Sequence, residues 1–200
     1  NLHAAAAIAH ALGLAPERIA AALPDLRSVP GRFERIDEGQ PFLVLVDYAH
    51  TADGLERLLE AVRGLGVGRI VLVFGCGGDR DRDERAPMGR VAGRLADRVI
   101  VTSDNPRSED PRRIAEAVLA GVAETRAACA VELDRERALA QAVAEARPGD
   151  ALVAAGKGAE TVQVFADRVK PFDDREALRR LLGGRSSRTA GAPAGRRSKP

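Results

Sequence analysis

The sequence is poor in the residues that mark several protein classes. Tryptophan is absent, aromatic residues make up 3% of the 200 residues, and there are two cysteines, Cys76 and Cys129. So few cysteines, so far apart, exclude a disulfide framework and a zinc knuckle. No apolar run approaches the roughly 20 residues needed to span a bilayer, and the N-terminus lacks the layout of a signal peptide. The sequence therefore predicts a cytoplasmic protein with no membrane partner.

Charge of one sign is missing from the C-terminal segment. Residues 183–200 contain five basic residues and no acidic one. Because the whole chain has a net charge of +2, the body of the protein, residues 1–182, is acidic on balance. This segment also lacks apolar periodicity and is predicted to be a disordered basic tail. No basic stripe interleaved with aromatics occurs in the body, which is not expected to bind nucleic acid.

What is present is enough apolar material for a core. A hydrophobic fraction of 45% in 200 residues fits one domain with a fragment of a second. Short apolar runs predict strands at 42–46, 69–74, 98–102, 131–133 and 150–155, with 169–172 as a further candidate. Amphipathic stretches predict helices at 2–12, 16–23, 53–63, 87–96, 111–122, 135–146 and 174–182. Continuous β-branched runs joined by helices indicate an α/β fold, a mainly parallel sheet with helices on both faces.

Polar loops follow four of the predicted strands, at 47–51, 75–83, 103–110 and 156–160. In such sheets ligands bind beyond the carboxyl ends of the strands, so these loops are expected to form one site. Arginine offers a planar fork for a carboxylate, whereas aspartate and glutamate suit an ammonium group. The loops contain both kinds of residue and therefore predict a ligand that bears both charges.

Each loop taken alone has a structural alternative. The glycines within 75–78 can serve only to permit a tight turn, and 104–106 can be a turn that leads into a capped helix. Asp47 and His50 can belong to a loop hydrogen bond. The loop around Lys157 is similar to a phosphate cradle, but the chain contains no GxxxxGK[ST] string. Singly, the loops indicate no more than a small-molecule site on an α/β domain.

Six short sequence motifs, taken in their order along the chain, are more specific for one protein family than the single loops are. They are Gly-Arg-Phe-Glu at 31–34, Asp-Tyr-Ala-His-Thr at 47–51, Gly-Cys-Gly-Gly-Asp-Arg-Asp at 75–81, Asp-Asn-Pro-Arg at 104–107, Gly-Lys-Gly at 156–158 and Phe-Asp-Asp-Arg-Glu at 172–176. Together they resemble the Mur ligases of peptidoglycan synthesis, over roughly residues 1–182. The resemblance implies that 29–182 is a Rossmann-like C-terminal ligase domain. It implies that 1–28 are terminal helices of a truncated central ATPase domain.

The resemblance also implies a chemistry, ATP-dependent amide formation. ATP would phosphorylate the γ-carboxylate of UDP-N-acetylmuramoyl-L-alanyl-D-glutamate, and an amine would attack the acyl phosphate. The Asp-Asn-Pro-Arg string is associated with meso-diaminopimelate as the added amino acid. In the family the P-loop and the Mg²⁺ ligands belong to the central domain. The 200 residues by themselves are therefore expected to be inactive, monomeric and without a metal ligand.

The resemblance assigns roles to particular residues. Arg32 would reach the ATP phosphates, with Asp47 and His50 lining the nucleotide side; these three are the candidate catalytic and ATP-binding residues. The meso-diaminopimelate pocket would consist of Arg80, Asp104, Asn105, Pro106, Arg107, Gly156 and Glu160. Ala159 stands where the family usually has histidine. The alternative hypothesis is accordingly a non-catalytic amino-acid-binding module derived from a Mur ligase.

Overall fold

The computed structural model of the protein describes residues 2–23 and 29–189. The helices are α1 Leu2–Ala11, α2 Pro16–Ala22, α3 Ala52–Arg63, α4 Arg85–Leu95, α5 Pro111–Val122, α6 Arg135–Glu145 and α7 Asp174–Thr189. The strands are β1 Glu34–Arg35, β2 Leu43–Asp47, β3 Ile70–Phe74, β4 Arg98–Val101, β5 Ala128–Val131, β6 Ala151–Ala155, β7 Val162–Val164 and β8 Val169–Pro171. No helix in the described ranges has both the length and the apolar character needed to cross a membrane.

Six strands form one sheet in the order β1-β2-β6-β3-β4-β5. Strand β1 is antiparallel to β2, and all the other neighbours are parallel. The chain runs outward from β2 through β3 and β4 to β5, and β6 then returns between β2 and β3. Strands β7 and β8 form a separate antiparallel pair. The predicted α/β fold with a mainly parallel sheet is confirmed.

The core has two layers because the sheet is covered on both faces. Along β3, Ile70, Leu72 and Phe74 pack against the layer that contains α3, α4 and α5. Val71 and Val73 pack on the opposite side, in the layer that contains α6 and α7. All five side chains of β3 are buried, which explains the continuous apolar run in the sequence.

Helices α4 and α5 lie unusually close to one another, and glycines permit the approach. A Cβ atom added to Gly89 would lie 2.1 Å from the carbonyl oxygen of Val118. A Cβ atom added to Gly121 would lie 2.0 Å from the carbonyl oxygen of Ala86. Neither helix backbone leaves space for a side chain at these two positions.

The structure corrects three sequence-based expectations. The strand expected at 131–133 is Ala128–Val131, an edge strand whose alanines carry little β-strand signal. The pair β7–β8 includes a strand of three residues that was not predicted at all. The last helix does not end at Leu182 but continues to Thr189, so the predicted disordered tail is wrong for 183–189. Gly183 does not adopt the left-handed conformation that ends helices. Residues 24–28, which belong to the segment 1–28 expected to end a central domain, and residues 190–200 of the expected tail lie outside the described residues.

The close contact between α4 and α5 generates a prediction. Gly121→Ala is expected to lower the free energy of unfolding by about 1–3 kcal/mol, the usual cost of overpacking. The control is Gly183→Ala in α7, where a new methyl group meets no atom within 4 Å. There the better helix propensity of alanine should raise the free energy of unfolding by about 0.5–1 kcal/mol. Urea unfolding measures both changes, and equal effects at the two positions would contradict the close contact.

Candidate functional site

A narrow cleft lies at the carboxyl edge of the sheet, between the loops that follow β2, β6, β3 and β4. Its lining consists of Tyr48, His50, Gly75, Gly77, Arg80, Asp104, Asn105, Arg107, Gly156 and Glu160. Strands β2, β3 and β4 lead to helices on one face of the sheet, whereas β6 leads through β7 and β8 to α7 on the other. Diverging connections of this kind open a crevice for ligands. Of the predicted pocket residues, all but Pro106 line this cleft.

A buried ion pair lies directly behind the cleft. The guanidinium of Arg135 donates to Asp174 through Nε at 2.7 Å and through Nη2 at 2.6 Å, and both side chains are 0% exposed. Arg135 also donates to the carbonyl oxygens of Ala155 at 2.9 Å and Ser103 at 3.4 Å. These carbonyls immediately precede two cleft residues, so the pair fixes where the loops after β4 and β6 begin. Asp174 belongs to a string that the sequence singled out, whereas no local signal marked Arg135.

Three polar side chains form a connected network in the floor of the cleft. Asn105 donates from Nδ2 to Oε2 of Glu160 at 2.7 Å. Lys157 donates from Nζ to the same carboxylate oxygen at 3.0 Å and to Oδ1 of Asn105 at 3.1 Å. Lys157 is fully buried, so its ammonium group is part of the scaffold of the site.

The two carboxyl groups of the cleft differ in their electrostatics. Burial raises the pKa of Asp104, and the nearby charges of Arg135 and Lys157 offset only part of that effect. Burial would also raise the pKa of Glu160, but the hydrogen bonds from Asn105 and Lys157 outweigh it and lower that pKa. Glu160 is therefore held ionised, while Asp104 is a carboxyl group in need of a cation.

Arg107 is held by its backbone as well as by its side chain. Its φ of 52° lies in the left-handed region, and its amide donates to the carbonyl oxygen of Val164 at 3.0 Å. Its Nη1 donates to the carbonyl oxygen of Gly78 at 2.5 Å, which leaves the rest of the guanidinium toward the cleft. Gly78 itself must be glycine, because a Cβ atom there would lie 1.9 Å from the carbonyl oxygen of Pro106. Pro106 is thus buried loop structure and does not line the cleft.

The residues expected on the nucleotide side lie together at the rim of the cleft. The guanidinium carbon of Arg32 lies 4.4 Å from the ring centroid of Tyr48, whose ring meets that of His50 edge to face at 4.8 Å. Asp47 accepts hydrogen bonds from the amides of Phe33 at 2.7 Å and Ala49 at 2.8 Å. Asp47 therefore fastens the turn that carries Arg32 to the end of β2. Nδ1 of His50 lies 2.9 Å from the carbonyl oxygen of Tyr48 and makes no hydrogen bond with Asp47.

Three further observations complete the description of the site. The turn before Arg32 rests on the loop after β6, because a Cβ atom added to Gly31 would lie 2.0 Å from the amide nitrogen of Ala159. Tyr48, which links the rim to the cleft, was not among the predicted site residues. Among residues 2–23 and 29–189, no group of three or more His, Cys, Asp or Glu side chains could hold a metal ion.

Comparison with known proteins supports the same family. The family model described as "Mur ligase, glutamate ligase domain" matches residues 31–158. A UDP-N-acetylmuramoyl-L-alanyl-D-glutamate–2,6-diaminopimelate ligase from Solibacter usitatus is 52% identical over 184 residues, which are 92% of this chain and 37% of the relative. The chain belongs to the Mur ligase family. It spans little more than a third of the length of the curated relatives that it matches.

Solved structures agree with this placement in the Mur ligase family. A structure of a UDP-N-acetylmuramoyl-L-alanyl-D-glutamate–2,6-diaminopimelate ligase superposes with a TM-score of 0.74 at 35% identity, covering 91% of this chain and 37% of that one. The fold is shared more widely. A folylpolyglutamate synthase/dihydrofolate synthase from Yersinia pestis was solved with AMPPNP and a manganese ion. It superposes with a TM-score of 0.54 at 19% identity, covering 86% of this chain and 35% of that one.

The raised pKa of Asp104 generates a stability prediction. Above this pKa the buried, ionised carboxylate lowers the free energy of unfolding, and protonation in acid removes that cost. Asp104→Asn is therefore expected to raise the free energy of unfolding at pH 7 by about 0.5–2 kcal/mol, as relieved functional sites do. The gain should shrink as the pH falls. Urea unfolding from pH 7 to pH 4 measures it.

The control for this prediction is Asp53→Asn on the exposed first turn of α3, where the change should stay within about 0.5 kcal/mol. A loss of stability in Asp104→Asn at pH 7 would show that the carboxylate is well compensated in the folded state.

Proposed function

We propose that this chain supplies the amino-acid-binding domain of an ATP-dependent ligase that adds meso-diaminopimelate to UDP-N-acetylmuramoyl-L-alanyl-D-glutamate. The observation that carries the proposal is the cleft, in which two arginines and two carboxyl groups converge. A relative of this name, 52% identical across nearly the whole chain, supports the choice of amino acid. The substrates are those of cytoplasmic metabolism, and we propose a cytoplasmic monomer that binds neither membrane nor nucleic acid.

The charges of the cleft suit an amino acid that carries a carboxylate and an ammonium group at each of its two ends. Arg80 is exposed and has no ion-pair partner among the described residues, so it is free to receive a carboxylate. Arg107 keeps part of its guanidinium for a second carboxylate contact. Asp104 and Glu160 line the same cleft and suit an ammonium group. Meso-diaminopimelate carries a carboxylate beside each of its amines, which matches this set.

The rim residues support the proposal that ATP acts next to this cleft. When bound, ATP supplies the phosphoryl group that activates the γ-carboxylate of the acceptor for attack by the amine. Arg32 is exposed at the rim, where its positive charge suits phosphate oxygens, and Tyr48 holds it there from below. Asp47 keeps that turn in place, and His50 lies on the same side. The described residues offer no Mg²⁺ site, and the proposal assigns the magnesium ligands to the central domain of the ligase.

The proposal is tested by amino-acid choice at Arg107. Lysine lacks the second carboxylate, so it would bring an ammonium group to the arginine with no anion between them. Arg107→Ala in the full-length ligase should therefore lower kcat/KM strongly for meso-diaminopimelate and little for lysine. A site built for a polar group rejects the analogue that lacks it by roughly 10⁴-fold. The ratio of kcat/KM for meso-diaminopimelate to kcat/KM for lysine should therefore fall steeply in the variant.

The matched control for this test is Arg112→Ala, an exposed arginine near the start of α5. It should leave the ratio unchanged. If Arg107→Ala lowers both constants equally, Arg107 is structural and the pocket assignment is wrong. A ligase that uses neither amino acid but still folds would favour the non-catalytic binding module.

The placement of Arg32 generates a kinetic prediction. Arg32→Ala in the full-length ligase should lower kcat and leave the KM for meso-diaminopimelate nearly unchanged, because the lost charge faces phosphoryl oxygens. Removing one such contact made in the transition state costs about 2–4 kcal/mol. Steady-state kinetics with saturating ATP measure the effect. An unchanged kcat with a raised KM for the amino acid would place Arg32 in the amino-acid pocket instead.

A further inference from the structure

Lys157 is a buried cation whose three donors are all used inside the protein. Its side chain is 0% exposed. Nζ donates to the carbonyl oxygen of Val162 at 2.6 Å, to Oε2 of Glu160 at 3.0 Å and to Oδ1 of Asn105 at 3.1 Å. An ammonium group has three donors, so none remains for a ligand. Any influence of Lys157 on binding must therefore pass through its neighbours.

The first neighbour is the amide of Asn105. Its Oδ1 accepts from Lys157 and also from the backbone amide of Val164 at 3.0 Å. With the oxygen held on that side, the NH₂ group must point to Glu160, where Nδ2 donates to Oε2 at 2.7 Å. Lys157 and the backbone amide of Val164 together fix which way the side-chain amide of Asn105 faces.

The second neighbour is the carboxylate of Glu160. Its Oε2 already accepts from both Asn105 and Lys157. Oε1 accepts no hydrogen bond from any residue within the described ranges, and the side chain keeps 31% exposure where it lines the cleft. One oxygen is therefore anchored in the scaffold, and the other is left to accept from a ligand.

We propose that Lys157 is a positioning residue that presents Oε1 of Glu160, as an ionised oxygen in a fixed place, to the ammonium group of the bound amino acid. The identity of that amino acid rests on the proposed function, whereas the coupling of Lys157 to Glu160 does not. In sequence, the loop around Lys157 is similar to a phosphate cradle without the GxxxxGK[ST] string, and the burial of Lys157 gives it a different role.

The charges around Glu160 make the coupling measurable. Four charged or titratable side chains interact electrostatically with it, Lys157, Asp104, Arg107 and Arg135. Three others line the same cleft, Arg80, His50 and Tyr48. Burial disfavours the carboxylate of Glu160, and the hydrogen bonds from Asn105 and Lys157 are the main effects that lower its pKa. Removing the charge of Lys157 should therefore move the pKa of Glu160 upward, even with no ligand present.

The first experiment is an NMR titration of the Glu160 carboxyl carbon in the chain labelled with ¹³C-glutamate. We expect a pKa below the ordinary glutamate range in the wild type and a higher one in Lys157→Met. Lys157→Gln, which keeps a hydrogen-bond donor without the charge, serves where the methionine variant fails to fold. An unchanged pKa in a folded variant would overturn the coupling.

The second experiment is a double-mutant cycle in the full-length ligase. Lys157→Met should raise the KM for meso-diaminopimelate about 10-fold to 100-fold, the range that hydrogen bonds to charged groups supply, with little change in kcat. If Lys157 acts through Glu160, the double variant should have the same KM as Glu160→Gln alone. If the effects of the two single substitutions on KM multiply in the double variant, Lys157 and Glu160 act independently, which would overturn the inference.

The same substitution at another lysine provides the control. Lys170 lies on β8, where Nζ is 5.5 Å from the ring centroid of Phe172, and Lys170→Met should change neither the KM nor the pKa of Glu160. A wild-type ligase that adds a different amino acid would refute the proposed substrate. The cycle run with that amino acid, together with the titration, would still decide the role of Lys157.

Discussion

The buried ion pair between Arg135 and Asp174 is the interaction on which the site depends. An unpaired charge in the interior costs several kcal/mol, so neither partner can move without the other. Asp174 begins α7 and Arg135 begins α6. Of the two carbonyl groups bound by Arg135, that of Ala155 ends β6 and that of Ser103 lies two residues after the end of β4. Four elements therefore meet at one guanidinium, and two cleft loops start from positions that it fixes.

Close backbone contacts complete what the ion pair begins. The loop after β3 touches the loop after β4 at Gly78, and the turn before β1 touches the loop after β6 at Gly31. Asp79 and Ser108 join the first two loops again through a side-chain hydrogen bond of 2.6 Å. Because these loops fix one another, the charged groups of the cleft are arranged before any ligand arrives. Such preorganisation reduces the conformational entropy that the loops lose when a ligand binds.

The sequence predicted the sheet well because its central strands are buried on both faces. Continuous apolar runs such as that of β3 have no competing interpretation as amphipathic helix or loop. The edge strand β5 and the hairpin strand β7 lack such an apolar run. They form strands because of their packing against neighbouring segments, which the local sequence does not show. The end of α7 was misjudged because residues 183–189 lack apolar periodicity, whereas a helix that is already formed can continue through such a segment.

The site shows the same division between residue type and position. The ordered strings led to nearly every residue of the cleft, since each loop follows a strand of a parallel sheet. They did not separate ligand-facing residues from scaffold, because that depends on burial and hydrogen-bond partners. Pro106 and Asp47 hold backbone in place, and Arg135 acts from a helix that carried no motif at all.

The most direct test of this account is a crystal structure of the full-length ligase with meso-diaminopimelate bound. We expect the amino acid to lie in the cleft, with a carboxylate on the guanidinium of Arg107 and the neighbouring ammonium group on Oε1 of Glu160. Lys157 should keep its three internal hydrogen bonds. Electron density for the ligand outside this cleft, or with its ammonium group toward Arg107, would contradict the central claim.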